Sequence, residues 1–387
     1  MKKVFLFSLF LVLGLVLSQC LPVWLGEAFL TAEKVAKTLM FVCLAFIMIN
    51  VGREFELDKT KWRSYAADYF IAMATAAVPW IMVAFYYMFL LPADLFGNWD
   101  AWKENLLLSR FAAPTSAGIL FTMLAAAGLR REWIYKKTQV LAIFDDLDTI
   151  LLMIPLQIFM IGFKWQLFAV VIVITFLLVI GWKKLGTIRL SQTWKSILFY
   201  AVCIVAVTES IYLLTKWMMG ADGAIHIEVL LPAFVLGMVM KTVHQHGNRD
   251  EKITGMISYL FMFLVGLSTP QFIGIDHGHR ITEAVGIIAA QPMPAWEVLV
   301  VHVIVVTLLS NLGKMFPLFF YRDRQLEERL ALSVGMFTRG EVGAGIIVIA
   351  MGYNLGGPAL IISVLSLVLS VGLNWQEFRR SVKEKAR

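Results

Sequence analysis

The sequence predicts an all-α polytopic membrane protein of about 12 transmembrane helices, built as two inverted five-helix repeats with broken helices 4 and 11. Three observations predict it. First, 59% of the 387 residues are hydrophobic, the mean hydropathy is +0.77, and apolar runs long enough to cross a bilayer recur along the whole chain. Second, basic residues cluster in alternate gaps between those runs. Third, two spans at matching positions of two sets of five are interrupted by glycine or proline.

In chain order, the first run covers 4–24 and follows Lys2 and Lys3. Its end, LSQC, looks like a leader with a lipid-attachment cysteine, but Gln19 is a poor small residue before Cys20. Cleavage would also leave an odd number of spans, so the run is read as a retained helix. Runs at 36–52 and 65–91 follow, then 105–128, which contains the Pro114, Thr115, Ser116, Gly118 cluster. Proline removes a backbone donor and loosens the helix at mid-membrane depth. The fifth run, 138–160, reads TQVLAIFDDLDTILLMIPLQIFM and is the costliest stretch of the protein. Spans at 165–182 and 196–217 link it to the second set: 227–242, 253–272, 295–320, 329–352 and 356–376. The eleventh span places Gly340, Gly343 and Gly345 around Arg339 and Glu341. The expected domains are thus a first repeat over 1–160, linking helices over 161–225, a second repeat over 226–376 and a basic cytoplasmic tail over 377–387.

With both termini cytoplasmic, the inner segments collect 25 of the 34 Lys and Arg residues and the outer segments and helix edges, Arg110 among them, collect 7. Lys314 and Arg339 remain within the membrane. This is the positive-inside asymmetry of an even number of spans, so the net charge of +7 reads as topology and no nucleic-acid partner is expected. Cys20, Cys43 and Cys203 lie in apolar runs without metal-ligand spacing, which indicates neither a disulfide framework nor a zinc site.

Asp145, Asp146 and Asp148 sit near the middle of the fifth span, where a charge costs roughly 2.5–3.5 kcal/mol on insertion scales. Carboxylates at that depth line protein-walled cavities and handle ions or protons. Neighbouring aspartates project about 100° apart on a helix, so one can face a protein partner and the other a water path. Lys314 in the tenth span is the natural partner, because an ammonium and a carboxylate cluster each left unpaired in one membrane protein would both be costly. Snorkelling of Lys314 along its apolar stem is the bland alternative. Asn311, one turn earlier on the same face, is positioned to help solvate the site.

Together these segments resemble the monovalent cation/proton antiporter superfamily, on its bacterial, paired-aspartate, electrogenic side. FDDLDTILL is similar to that family's paired-aspartate helix, PTSAGILFTML to its broken helix with a Thr-Ser pair, and NLGKMF to its helix with an embedded lysine. GMFTRGEVGAGIIVIA resembles its Arg-Gly-Glu-Val-Gly segment, and VGREFELDKTKWR and EVLLPAFVLGMVM its weaker scaffold segments. The resemblance implies that Asp146 is the alternating cation and proton carboxylate and the ligand of transported Na⁺, that Asp145 pairs with Lys314, and that Thr115 and Ser116 are polar contacts at the helix crossing. Arg339 and Glu341 would compensate half-helix ends, which carry opposite partial charges. Ser116 stands where some relatives have an acid, and Asp148 is an accessory carboxylate of undetermined direction. A homodimer in a bacterial inner membrane, with no cofactor, is implied in the same way.

The expected activity is exchange of Na⁺ or Li⁺ for H⁺ by a transporter that is not an enzyme, with K⁺/H⁺ exchange or sodium-coupled symport of an organic solute as alternatives on the same fold. A channel is disfavoured, since no carbonyl-filter motif of the TVGYG kind is present. An intramembrane aspartyl protease needs two carboxylates that meet across a bond, whereas adjacent Asp145 and Asp146 diverge. His244, His246, His277 and His279 read as solvated loop residues and Asp68 as a solvated residue near the cytoplasmic edge. Glu209 and His302 lie within spans, and the sequence names no partner for them.

Overall fold

A computed structural model of the chain describes residues 2–25, 28–53, 62–116, 120, 133–161, 166–184, 186–219, 229–241, 248–269, 286–353 and 355–370. Gly118, the four loop histidines, the 377–387 tail and the side chain of Glu341 lie outside the described residues.

Thirteen α-helices make up the described fold, and no named strand occurs among the described residues. They are α1 (Lys2–Leu25), α2 (Ala28–Arg53), α3 (Trp62–Phe89), α4 (Trp99–Ser109), α5 (Trp133–Ile161), α6 (Gln166–Lys183) and α7 (Trp194–Met219). The second set is α8 (Leu230–Val239), α9 (Asn248–Leu267), α10 (Trp296–Gly313), α11 (Leu326–Gly335), α12 (Glu341–Gly352) and α13 (Gly357–Ser370). The protein is an all-α polytopic membrane protein. In a bilayer every backbone donor and acceptor must be met within the chain, and a helix does this locally. Large apolar side chains stand exposed along α3, α6, α7 and α10, including Phe85, Ile172, Phe199 and Val301. Such surface is a liability in water and the natural lining against lipid.

The chain forms two compact units. The first takes Met1–Phe29, Thr60–Met160 and Met262–Arg387; the second takes Leu30–Lys59 and Ile161–Phe261. Each unit contains a crossing made possible by paired glycines. In the first, α1 meets α9, and a Cβ on Gly14 would stand 2.0 Å from the Phe263 carbonyl oxygen and one on Gly266 2.2 Å from that of Leu11. In the second, α2 meets α8, where a Cβ on Gly52 would stand 2.1 Å from the Phe234 carbonyl oxygen and one on Gly237 2.2 Å from that of Ile49. Without an inter-helix hydrophobic drive in lipid, such close backbone approach is a main source of association.

In the first unit α3 and α10 pack together at a third close approach, with Gly313 against Pro79. Proline inside α3 leaves a backbone carbonyl of the preceding turn without its donor. The Glu104 carboxylate on α4 accepts from the backbone N–H groups of Ile287 (3.1 Å) and Ile288 (2.9 Å), which ties α4 to the segment before α10. These anchors hold the start of the fourth span while its far end unwinds.

Substitution of Gly237 by valine forces the α2–α8 backbones apart and should cost about 1–3 kcal/mol. The expected outcome is a lower thermal midpoint of the detergent-purified protein, while Gly255→Ala, inside α9 where a Cβ meets nothing within 4 Å, does not lower it.

Candidate functional site

Two unwound segments cross inside the first unit. After α4 the chain makes a single 3₁₀ turn at Arg110–Ala112 and then runs without regular structure through Pro114, Thr115 and Ser116. Pro114 cannot donate, so the hydrogen-bonded ladder ends there although Ala113 itself keeps helical angles (φ −75°, ψ −56°). The eleventh span stops at Gly335, unwinds over Met336 to Gly340 and resumes as α12 at Glu341.

Each break satisfies the other. The Ser116 N–H donates to the Thr338 carbonyl (2.8 Å), the Thr338 hydroxyl donates back to the Ser116 carbonyl (3.3 Å), and the Thr115 hydroxyl donates to the Met336 carbonyl (3.1 Å). Arg339 completes the set from inside the second break. Its Nη1 donates to the carbonyls of Met336 (3.2 Å) and Pro114 (3.4 Å), and its Nη2 to the carbonyl (3.2 Å) and hydroxyl (2.6 Å) of Ser310 on α10. A cation is therefore placed on the carbonyl-bearing end of α11, where the helix carries partial negative charge.

Lys314 follows the last residue of α10, is fully buried, and reaches across to α5. Its ammonium lies 2.7 Å from Asp145 Oδ2 and donates to the Thr115 hydroxyl at 3.0 Å. The snorkelling alternative fails because Lys314 points into protein. Asp146 is also buried, at 1% exposure, and acts electrostatically on Lys314. The other oxygen of Asp145 and the amide oxygen of Asn311 have no hydrogen-bond partner among the described residues. Lys314, Asp145, Thr115 and Arg339 thus meet around one crossing, with Ser116 contributing backbone rather than hydroxyl contacts in the bonds described above.

Asp148 has a partner that the sequence did not reveal. Arg110 is fully buried rather than at an outer helix edge; its Nη2 lies 3.1 Å from Asp148 Oδ2 and 3.1 Å from the Asp148 carbonyl oxygen, and its guanidinium stacks 4.4 Å from the Trp80 ring centroid. A charge count held the clue, because Lys314 and Arg339 are too few cations for the three carboxylates of the fifth span.

Asp68 also departs from expectation. It is 4% exposed, not solvated, and accepts both from Lys137 of α5 (2.9 Å to each oxygen) and from the Tyr321 hydroxyl (2.8 Å) beyond α10. Tyr321 adopts a left-handed φ of 53°, which costs energy for a residue with a large side chain, and the hydrogen bond to Asp68 holds it there. Burial, then the Asp68 carboxylate, push the Tyr321 phenol up, so it remains a donor. His302 finds a partner in the Tyr86 hydroxyl, 2.8 Å from its Nδ1.

A family model described as sodium/hydrogen exchanger, transmembrane, matches residues 2–374. The chain belongs to the sodium/hydrogen exchanger family. The family consists of multi-pass membrane proteins that exchange a monovalent cation for protons, not of enzymes, so membrane embedding and cation/proton antiport follow from membership. No curated protein matches the chain by sequence. Among solved structures, this exchanger-family chain is similar to the sodium proton antiporter MjNhaP1 from Methanocaldococcus jannaschii, at 13% identity and a TM-score of 0.61, over 97% of this chain and 92% of that one. At that identity the likeness concerns the fold.

Replacing Arg339 by alanine leaves the carbonyls of Pro114, Met336 and Ser310 with lost donors and should destabilise the protein by roughly 3 kcal/mol or more. The check is thermal unfolding of purified protein, where Arg339→Ala is expected to fall well below the midpoint of Thr338→Val.

Proposed function

We propose that this exchanger-family protein exchanges Na⁺ or Li⁺ for H⁺ electrogenically at an Asp145, Asp146 and Lys314 site. The observation that carries the reading is the fully buried contact between Lys314 and Asp145 at the crossing of the two broken spans, one residue from Asp146. Na⁺ is a hard cation that takes oxygen ligands. Asp146, helped by water and neighbouring oxygens such as those of Thr115, Asn311 and the unwound backbone, supplies them. Protons compete for the same carboxylate, so the site holds one ion or the other as it faces alternate sides.

Lys314 adds a second proton carrier. An ammonium in a dry site depends on its counter-charge; when a cation draws Asp145 away, Lys314 loses that support and gives up a proton. Two protons against one Na⁺ move net charge, worth about 2.3 kcal/mol per elementary charge per 100 mV. Arg339 is a fixed charge that braces the breaks, and Glu341 is its counterpart at the start of α12.

The same reading arranges the chain as two inverted repeats, 1–160 and 226–376, joined by 161–225. What supports it is the pairing of glycine crossings: exchanging α1 with α8 and α2 with α9 turns the Gly14–Gly266 crossing into the Gly237–Gly52 crossing. The two broken spans map onto each other under the same exchange. The first unit, which carries both breaks and all the named site residues, is the moving body in this reading. The positive-inside count supports cytoplasmic termini, including the 377–387 tail, and the resemblance supports a homodimer in a bacterial inner membrane.

In proteoliposomes containing a lumenal pH dye under an imposed proton gradient, Na⁺ or Li⁺ is expected to move protons in the wild type and not in Asp146→Asn. A response to K⁺ alone would reassign the ion, and none to any cation from folded protein would overturn exchange. Lys314→Gln is expected to lose voltage dependence more than transport; unchanged voltage dependence would remove Lys314 from the proton count.

A further inference from the structure

Arg110 is not explained by that mechanism, and it is a costly residue. Its guanidinium is fully buried, yet among the described residues only Nη2 makes hydrogen bonds, while Nε and Nη1 have no hydrogen-bond partner. Breaking a buried pair is expensive, but so is making one, and an apolar pair of similar size would be at least as stable. Stability alone is therefore a poor account of Arg110 and Asp148.

The charge inventory offers a better one. Among the described side chains, three carboxylates (Asp145, Asp146, Asp148) and three cations (Lys314, Arg339, Arg110) lie in the same unit, each at most 2% exposed. Asp148 feels not only Arg110 but Asp145 of its own helix, Lys314 from α10 and the Tyr69 phenol from α3, and Arg110 in turn feels Asp145. An ionised Asp148 without a cation would therefore add a third negative charge to the exchange site. It would attract Na⁺ and H⁺ alike.

We infer that Arg110 is a positioning residue for exchange: resting on the site assignment above, it permanently occupies Asp148 and so keeps the third carboxylate from taking part in cation and proton binding. Two geometric features suit it to this. Its Nη2 holds the carboxylate oxygen and the backbone carbonyl of the same residue, which fixes the side chain against its own helix. Arginine also keeps its charge throughout the physiological range, whereas a lysine there would become another exchangeable proton. The Trp80 ring covers one face of the guanidinium and holds it in place without competing for Asp148.

Opposite perturbations then follow from the two halves of the pair. Asp148→Asn leaves the guanidinium without its counter-charge beside Asp145, so the site becomes more positive. The apparent KM for Na⁺ should rise about tenfold and the pH at which exchange begins should fall. Arg110→Gln leaves Asp148 without its cation, so the site becomes more negative; KM at alkaline pH should fall and the onset of exchange should move to higher pH, because protons are held longer. In Arg110→Gln/Asp148→Asn the two effects cancel, and KM and pH onset should return to within about threefold and about half a unit of the wild type. A structural lesion gives no such cancellation.

The experiment is the proteoliposome assay, with Na⁺ titrated at several pH values for both single variants, the double variant and Arg110→Lys, alongside Asp146→Asn. Single variants that lower only the maximal rate, with KM and pH onset unmoved, or a double variant as shifted as the worse single, would overturn the inference. If a single variant does not fold, the double variant and Arg110→Lys carry the test. Both preserve charge balance near neutral pH, so a large shift of KM in the double, or of KM near neutral pH in Arg110→Lys, overturns it. Exchange retained by Asp146→Asn would instead show that the site assignment itself is wrong, whatever the Arg110 variants do.

Discussion

The crossing of two unwound segments depends on a supply of hydrogen-bond partners that water cannot provide. Non-helical backbone within a membrane is tolerated only where protein or a wet cavity meets its polar groups. Here Ser116 and Thr338 exchange main-chain and hydroxyl bonds, Thr115 serves Met336, and Arg339 reaches Pro114, Met336 and Ser310. Once the breaks are closed on each other in this way, the Thr115 hydroxyl is held where it can also accept from Lys314, and the ion pair with Asp145 falls at the crossing itself. Remove the mutual satisfaction and the site loses its floor.

Charge follows from that geometry. The end of α11 and the unwound carbonyls that follow it favour nearby cations. Arg339 answers the α11 end, and Lys314 sits against the same neighbourhood. Those two cations would leave the region positive without carboxylates on α5, and three carboxylates would leave it negative without Arg110. Among the described side chains the three α5 carboxylates face three buried cations, and in the proposed exchange a mobile ion changes that balance by one, so that a proton or a metal cation can displace the other.

Much of this was legible in the sequence for a simple reason. A charge at the centre of an apolar run is expensive, so FDDLDTILL and NLGKMF announce themselves, and the need of Lys314 for a carboxylate follows from its cost. The breaks were legible too, because Pro114 and Gly340 act locally on the backbone, although Gly343 and Gly345 fall inside α12. Arg110 was not, since an arginine four residues before a proline, near the expected end of a span, has the local signature of an interfacial charge. Only the tertiary approach of Trp80 and Asp148 distinguishes it. Asp68 failed in the same way: its partners, Lys137 and Tyr321, are 69 and 253 residues distant. The glycine crossings were hidden for a different reason, as glycine is common in membrane helices and its meaning lies in which backbone it lets approach.

The two breaks are unlike in chemistry, and that asymmetry has a physical consequence. The first break offers Pro114, Thr115 and Ser116, neutral groups that accept or donate without holding a charge; the second contains Arg339, bound on several sides to carbonyls. A fixed cation locked into one break cannot follow a mobile ion, whereas in the proposed mechanism the Thr115 hydroxyl exchanges its bond to Lys314 for one to an incoming cation. Mobility in the site therefore belongs to the first break and to Lys314, and rigidity to the second. The exchange proposed above requires both, because a carboxylate that is to be claimed by two competing ions must be held still while its partner lets go.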